Sequence, residues 1–244
     1  MILLLTGCIN PNGMPFTALN NKEERQNQYV KALHFYLSQT NHPIVFTENS
    51  GTDISILFQK EIESGRMESI TFMGNQEKER GKGYGECEII KYALKHSKLI
   101  KNNPNSRIVK ITGRLIIRNI NVILRFHRTM FPKNTVFFNI NSELNFSDSR
   151  LIIAPIGFYY AFQNKGNEIN DSVGYYFEHA LLDTMKSEKR YHYSPFLLPP
   201  QIEGSSGSTG FIYEEVPYSL RFFIRYFRLA ISQRYRFKKL YHQT

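Results

Sequence analysis

The chain contains no tryptophan, only two cysteines, only four aspartates and no unbroken apolar run long enough to cross a bilayer. Each shortage excludes something. Cys8 and Cys87 lack zinc-site spacing and form no CxxC pair, which removes a disulfide-built scaffold and points to a reducing compartment. Without about 18 consecutive apolar residues, no membrane-spanning helix is expected. The opening Met1-Ile-Leu-Leu-Leu-Thr-Gly7 is apolar, but it lacks the positive leading segment and the length of a secretory signal. The expected location is therefore the cytoplasm, with any membrane contact confined to its surface. Asp53, Asp148, Asp171 and Asp183 are scattered, and no two are spaced as a metal-binding pair. There is no internal repeat. The nearest approach to low complexity is Gly204-Ser-Ser-Gly-Ser-Thr-Gly210, read as a mobile loop.

What is present describes a globular protein. The 244 residues are 41% hydrophobic and 21% charged, with 19 Phe and 15 Tyr, so global disorder is excluded. The net charge of +10 is uneven. Residues 216–244 carry Arg221, Arg225, Arg228, Arg234, Arg236, Lys238 and Lys239 and no acid. A localised cationic segment implies an anionic partner, either phospholipid head groups or nucleic acid. Leu220, Phe223, Ile224, Phe227 and Ile231 recur at helical spacing, with Arg221, Arg225 and Arg228 on an adjacent stripe. Rings beside guanidinium groups suit a bilayer interface better than nucleic acid. The plainer alternative is a final helix packed on the body with its arginines in solvent.

Along the chain, residues 2–6, 44–47, 54–59, 69–73, 107–112, 135–140 and 150–154 read as strands. Residues 21–38, 86–96, 117–127, 158–163 and 173–185 read as helices. Strands alternating with helices predict an α/β fold with a mostly parallel central sheet, and in such sheets ligands gather beyond the carboxyl ends of the strands.

Six segments therefore hold candidate chemistry. Thr6-Gly7 ends the first strand and permits close backbone approach. Glu48, Asn49 and Ser50 follow the second strand and offer hydrogen bonds to a base or ribose, or form a polar turn. The glycine-rich stretch from Gly81 to Glu86 precedes a helix, where Lys82 can neutralise a phosphate; a flexible turn is the alternative. Lys110-Ile-Thr-Gly113-Arg114 closes a strand with two cations suited to a diphosphate. Asp148 and Arg150 precede another strand; Asp148 can hold a metal or a sugar hydroxyl, or simply cap a turn. Glu178 lies among Tyr175, Tyr176 and Phe177, where partial desolvation suits a general base; a buried, satisfied carboxylate is the alternative.

Taken in order, with Arg25 and Tyr29 on the first helix and His179 beside Glu178, these segments resemble the GT-A-type glycosyltransferases of bacterial capsule and O-antigen gene clusters. The resemblance implies a GT-A-like (Rossmann-like) catalytic domain over residues 1–215 and a basic aromatic helix over 216–244. It implies transfer of a sugar from a nucleotide-sugar donor to a saccharide acceptor, often lipid-linked, in surface polysaccharide biosynthesis. Thr6, Gly7, Glu48, Asn49, Ser50, Lys82, Lys110, Gly113, Arg114 and Arg150 are then the donor-binding set. Glu178 is the catalytic base, assisted by Asp148, while Gly204, Ser205 and Ser206 face the acceptor. Arg221, Phe223, Arg225, Phe227 and Arg228 meet an anionic membrane, and no nucleic acid is expected. Such enzymes usually carry an Asp-x-Asp for Mn²⁺ or Mg²⁺, and this chain has none. Either Asp148 holds a metal with a non-Asp partner, or Lys82, Lys110 and Arg114 neutralise the diphosphate alone; weak or absent metal dependence is expected. Two rival classes remain open: another nucleotide-using enzyme such as a nucleotidyltransferase, and a non-catalytic membrane-surface adaptor.

Overall fold

The computed structural model describes residues 1–15, 17–206, 210–213 and 219–241. Its centre is a seven-stranded sheet. Strands β1 (Ile2–Gly7), β2 (Ile44–Glu48), β3 (Met67–Thr71), β4 (Arg107–Thr112), β6 (Thr135–Phe137), β7 (Leu151–Pro155) and β8 (His192–Ser194) lie in the order β3-β2-β1-β4-β7-β6-β8. The pairs β3–β2, β2–β1, β1–β4 and β6–β8 are parallel, whereas β7 runs antiparallel to both β4 and β6. The sheet is thus mostly parallel and the class is α/β, as the alternation of strands and helices requires.

The strands read as continuous apolar runs because both faces are covered. On β1, Ile2 and Leu4 join one core, while Leu3 and Leu5 join the other. The first core takes the buried faces of α3 (Lys82–His96), α6 (Ile156–Gly166) and α7 (Phe177–Ser187). The second takes α1 (Lys22–Gln39) and α5 (Ile120–Met130). Asn21 begins α1 as its cap: the side-chain oxygen accepts from the Glu24 amide. The short helix α2 (Gln59–Glu63) packs Ile62 on the second core, and α4 (Lys98–Lys101) buries Ile100 in the first. A second sheet pairs β5 (Ile116–Ile117), β9 (Ile202–Ser205) and β10 (Ile212–Tyr213) antiparallel. No strand pattern in the sequence marks this sheet.

Two expectations fail locally. Residues 54–59 are not a strand: Ser55–Phe58 is a 3₁₀ turn that runs into α2. Ile54 and Phe58 are buried while Ile56 and Leu57 are exposed, a four-residue spacing that belongs to a helix. The helix expected from residue 173 starts only at Phe177. Gly174, at φ 82°, turns the chain out of a short 3₁₀ segment, Asp171–Val173, before α7 begins.

The C-terminal helix α8 (Leu220–Tyr241) is present, and it docks. Phe237 is fully buried in the first core against Tyr193, at a ring separation of 4.4 Å. The Tyr226 hydroxyl and the Asn139 amide lie 3.2 Å apart, and Gln233 Nε2 donates to the Ile140 carbonyl at 2.5 Å. Tyr226, Ala230, Gln233 and Phe237 form the docking stripe. The apolar stripe expected to meet a membrane is not part of this docking. Leu220, Ile224, Phe227 and Ile231 are exposed, and Phe223, Ile224, Phe227 and Ile231 border an apolar groove of about 590 Å³ with Leu197 and Leu198. Arg221, Arg225 and Arg228 are also exposed. No described helix is long and apolar enough to cross a membrane.

Candidate functional site

The chain adds β2 and β3 on one side of β1 and then returns to place β4 on the other. A crevice opens where connections diverge in this way, beyond the carboxyl ends of the two strands. Gly113, just after β4, donates its amide to the Thr6 carbonyl at 2.9 Å. A Cβ on Gly113 would lie 2.6 Å from that carbonyl oxygen, so only glycine permits the approach.

The crevice is a cleft of about 810 Å³. Of the residues the sequence singles out, Thr6, Gly7, Asn49, Lys82, Arg114, Asp148, Arg150, Glu178, Ser205 and Ser206 line it together. Glu48, Ser50, Lys110, Gly113 and Gly204 do not. Residues 207–209 of the expected acceptor loop, and residues 216–218 and 242–244 of the expected tail, lie outside the described residues.

Glu48 is a loop organiser rather than a ligand group. It accepts from the amides of Ile9, Ser50 and Thr52 at 2.9, 2.9 and 3.0 Å and from the Ser50 hydroxyl. Burial pushes its carboxyl pKa up, and those bonds oppose the rise. Ser50 is engaged in the same turn, its hydroxyl accepting from the Asn10 amide at 2.9 Å. Arg25 likewise serves the loop after β1, donating from Nε to the Cys8 carbonyl at 2.9 Å.

Lys110 is fully buried beneath the cleft floor and cannot reach a diphosphate there. It forms an ion pair with Glu86 and donates to the Ser149 carbonyl at 2.6 Å. The Thr6 hydroxyl donates to the same Glu86 carboxylate at 2.9 Å. Glu86 lines the cleft, although in sequence it is only the end of a glycine-rich stretch. Its buried cationic partner is set by β4, so no local signal exposes its role.

The start of α3 was expected to receive a phosphate. Asp171 already occupies it, accepting from the Gly83 amide at 3.1 Å. A Cβ at Gly83 would meet Asp171 Oδ1 at 2.7 Å and the Phe177 amide at 3.1 Å, so glycine is what lets this carboxylate seat. Burial pushes the Asp171 carboxyl up and lowers the Lys82 ammonium to about 8, even with Asp171 nearby.

Arg150 grips Asp148 with two bonds, Nε to Oδ1 at 2.9 Å and a terminal nitrogen to Oδ2 at 2.6 Å. Its guanidinium also lies 4.9 Å from the Tyr213 ring. Arg114, buried at the rim, donates to the Ser205 carbonyl at 3.0 Å and to Gln28 at 3.2 Å. The two arginines therefore tie β9 and β10 to the cleft. Glu178 accepts from the Ser149 hydroxyl at 2.6 Å, and burial raises its pKa above the usual carboxylate range. A carboxylate so placed is a stronger base than a solvated one.

Asp148 spends both oxygens on Arg150, and among the described residues no three His, Cys, Asp or Glu side chains converge for a metal. The cations on the cleft wall, Arg25, Lys82, Arg114 and Arg150, stand among the carboxylates of Glu86, Asp148, Asp171 and Glu178.

No family model matches this chain, and no curated protein matches it in sequence. Among solved structures, a cytidylyltransferase from Leptospira borgpetersenii is similar at 9% identity, covering 100% of this chain and 98% of that one, with a TM-score of 0.45. A galactosyltransferase, LgtC, solved with donor and acceptor sugar analogues, is similar at 7% identity, covering 81% of this chain and 74% of that one, also with a TM-score of 0.45.

Proposed function

We propose that the protein is a glycosyltransferase that moves a sugar from a nucleotide-sugar donor to a saccharide acceptor. One observation carries this reading: a single cleft at the ends of β1 and β4 gathers Lys82, Arg114 and Arg150 beside the desolvated carboxylate of Glu178. Fixed cations stabilise the charge that grows on a departing nucleoside diphosphate. Asn49, buried beside Asn75, has an Oδ1 with no hydrogen-bond partner among the described residues, and a nucleoside can supply the missing donor.

In an inverting transfer, Glu178 takes the acceptor hydroxyl proton as that oxygen bonds to the anomeric carbon. The bond from that carbon to the diphosphate breaks, and the diphosphate leaves with the electron pair. In a retaining transfer, Glu178 positions the sugar instead. The cations perform the neutralisation that a metal serves elsewhere, so turnover with little or no metal dependence fits this cleft. The exposed arginines and apolar stripe of α8 suit an anionic bilayer surface, which makes a lipid-linked acceptor and a role in surface polysaccharide assembly the natural setting.

Thermal melting with UDP, GDP, CDP, their sugar derivatives and nucleoside triphosphates, with and without Mn²⁺, tests the reading. At a hundredfold excess over Kd a ligand stabilises by about 2.7 kcal/mol. The expected result is a raised Tm with one nucleotide-sugar family, without a need for Mn²⁺. Stabilisation by a triphosphate alone, with pyrophosphate released on turnover, identifies a nucleotidyltransferase instead. No stabilisation by any nucleotide leaves the adaptor class.

A further inference from the structure

Two large rings stand in water at the edge of this cleft. Phe146 is 39% exposed and Tyr176 is 40% exposed, and both line the cavity. Outside α8, only Tyr160 and Phe211 are more exposed among the described Phe and Tyr rings, and neither lines the cleft. Exposed aromatic surface beside polar groups marks a binding site more often than a packing error.

The rings are held in place. Phe146 meets Tyr176 edge-on at 6.3 Å and His179 edge-on at 5.2 Å. His179 stacks on Tyr176 at 5.5 Å, and its Nδ1 accepts from the Tyr176 amide at 3.2 Å. The segment carrying Phe146 is closed by the Ile140–Ser147 bridge. Asn141 Oδ1 accepts from the amides of Asn145 and Phe146 at 3.0 and 3.2 Å. Leu144 anchors that loop in the core. The Ser147 hydroxyl then donates to the Glu178 carbonyl at 2.6 Å, which fixes the loop to the first turn of α7. The aromatic rim and the candidate base are thereby parts of one rigid unit.

Resting on the glycosyl-transfer reading, we propose that Phe146 and Tyr176 form an aromatic corner, a stacking platform on which one of the two rings faces a pyranose of the acceptor and the other bounds it, with its hydroxyl presented to Glu178. The C–H face of a pyranose is weakly electropositive and lies well on the negative face of an aromatic ring. Its hydroxyls need partners nearby, and the Ser149 oxygen, which donates to Glu178, can still accept from one in the same cleft. A nucleobase also stacks on rings. The unpartnered Asn49 oxygen lies at the ends of the strands, however, and draws the nucleoside there. This assignment moves the acceptor from the loop of Gly204, Ser205 and Ser206 to the loop of residues 140–147.

The test is saturation-transfer NMR of the full chain with the α- and β-methyl glycosides of glucose, galactose and N-acetylglucosamine, alongside titration with UDP, GDP and CDP. At least one glycoside should bind. Phe146→Ala and Tyr176→Ala should each weaken it about three- to tenfold, the worth of one aromatic contact. Phe146→Trp should keep it, and an unchanged Tm for each variant shows that the fold is intact. The platform is overturned if no glycoside binds, if both alanine variants bind normally, or if they weaken the nucleotide in parallel, which marks the rings as a base-stacking site. A protein that binds a glycoside through Phe146 but no nucleotide upholds the platform and removes the donor half of the transferase reading.

Discussion

At the residue scale, Glu178 carries the sharpest consequence. Its pKa is raised chiefly by burial, and the Ser149 hydroxyl bond lowers it in part. A base works only when deprotonated, so activity is present above the raised pKa and falls as pH drops through it. The acid limb of kcat/KM against pH should therefore lie above that of an ordinary glutamate. Ser149→Ala removes a bond to the charged form, so the limb should move to still higher pH. Glu178→Gln should cost about 10²–10⁴-fold in turnover while nucleotide affinity holds. An unshifted limb in the serine variant, or full activity in the glutamine variant, removes the base from this position. Glu86 illustrates what residue-by-residue reading misses. Its chemistry is defined by Thr6, 80 positions away, and by Lys110, which is in reach only because β1 and β4 pair. The same distant pairing converts Lys110 from an expected phosphate ligand into a buried counter-ion, a role fixed by the register of the sheet.

At the scale of elements, the β1–β4 junction is the feature that makes the cleft. Gly113→Ala places a methyl 2.6 Å from the Thr6 carbonyl, and backbone cannot yield as a flexible side chain does. We expect a loss of about 1–3 kcal/mol in denaturant unfolding, together with weakened nucleotide binding, because the strand ends must part. Wild-type stability and affinity would show the contact to be dispensable. Much of this layer is legible in the sequence. The core strands announce themselves as apolar runs because helices cover both faces, and Asn21 marks the start of α1. The failures have local causes. Ile54, Ile56 and Phe58 alternate like a strand, yet only the first and last are buried, at helical spacing. The small sheet of β5, β9 and β10 comes from two- to four-residue strands, too short for any periodicity to register. Its place at the cleft depends on Arg114 and Arg150, whose partners there are contributed by distant segments.

At the scale of the molecule, α8 has two faces with separable roles. Phe237 belongs to the core, so Phe237→Ala should destabilise the whole protein by about 3–5 kcal/mol in chemical denaturation. Replacing Arg221, Arg225 and Arg228 by alanine touches only exposed positions and should leave the Tm in place. The triple variant should lose about 1 kcal/mol per cation in sedimentation with phosphatidylserine vesicles and lose nothing on neutral ones. Equal binding to both vesicle types would assign the arginines to solubility. Cutting the chain before α8 is the wrong instrument for this question, because it unpacks the body while removing the charge.

The inner stripe of α8 reaches further than the core. Gln233 holds the carbonyls of Ile140 and Asn141, and Arg236 holds that of Ser142, so the helix grips the base of the hairpin that presents Phe146. Whatever steadies the outside of this helix also steadies the ring surface at its far end. If α8 rests on a bilayer and the rings receive the acceptor, anchorage and reception become mechanically linked, and a chain adrift in solution should hold that partner more loosely than one at rest on a support.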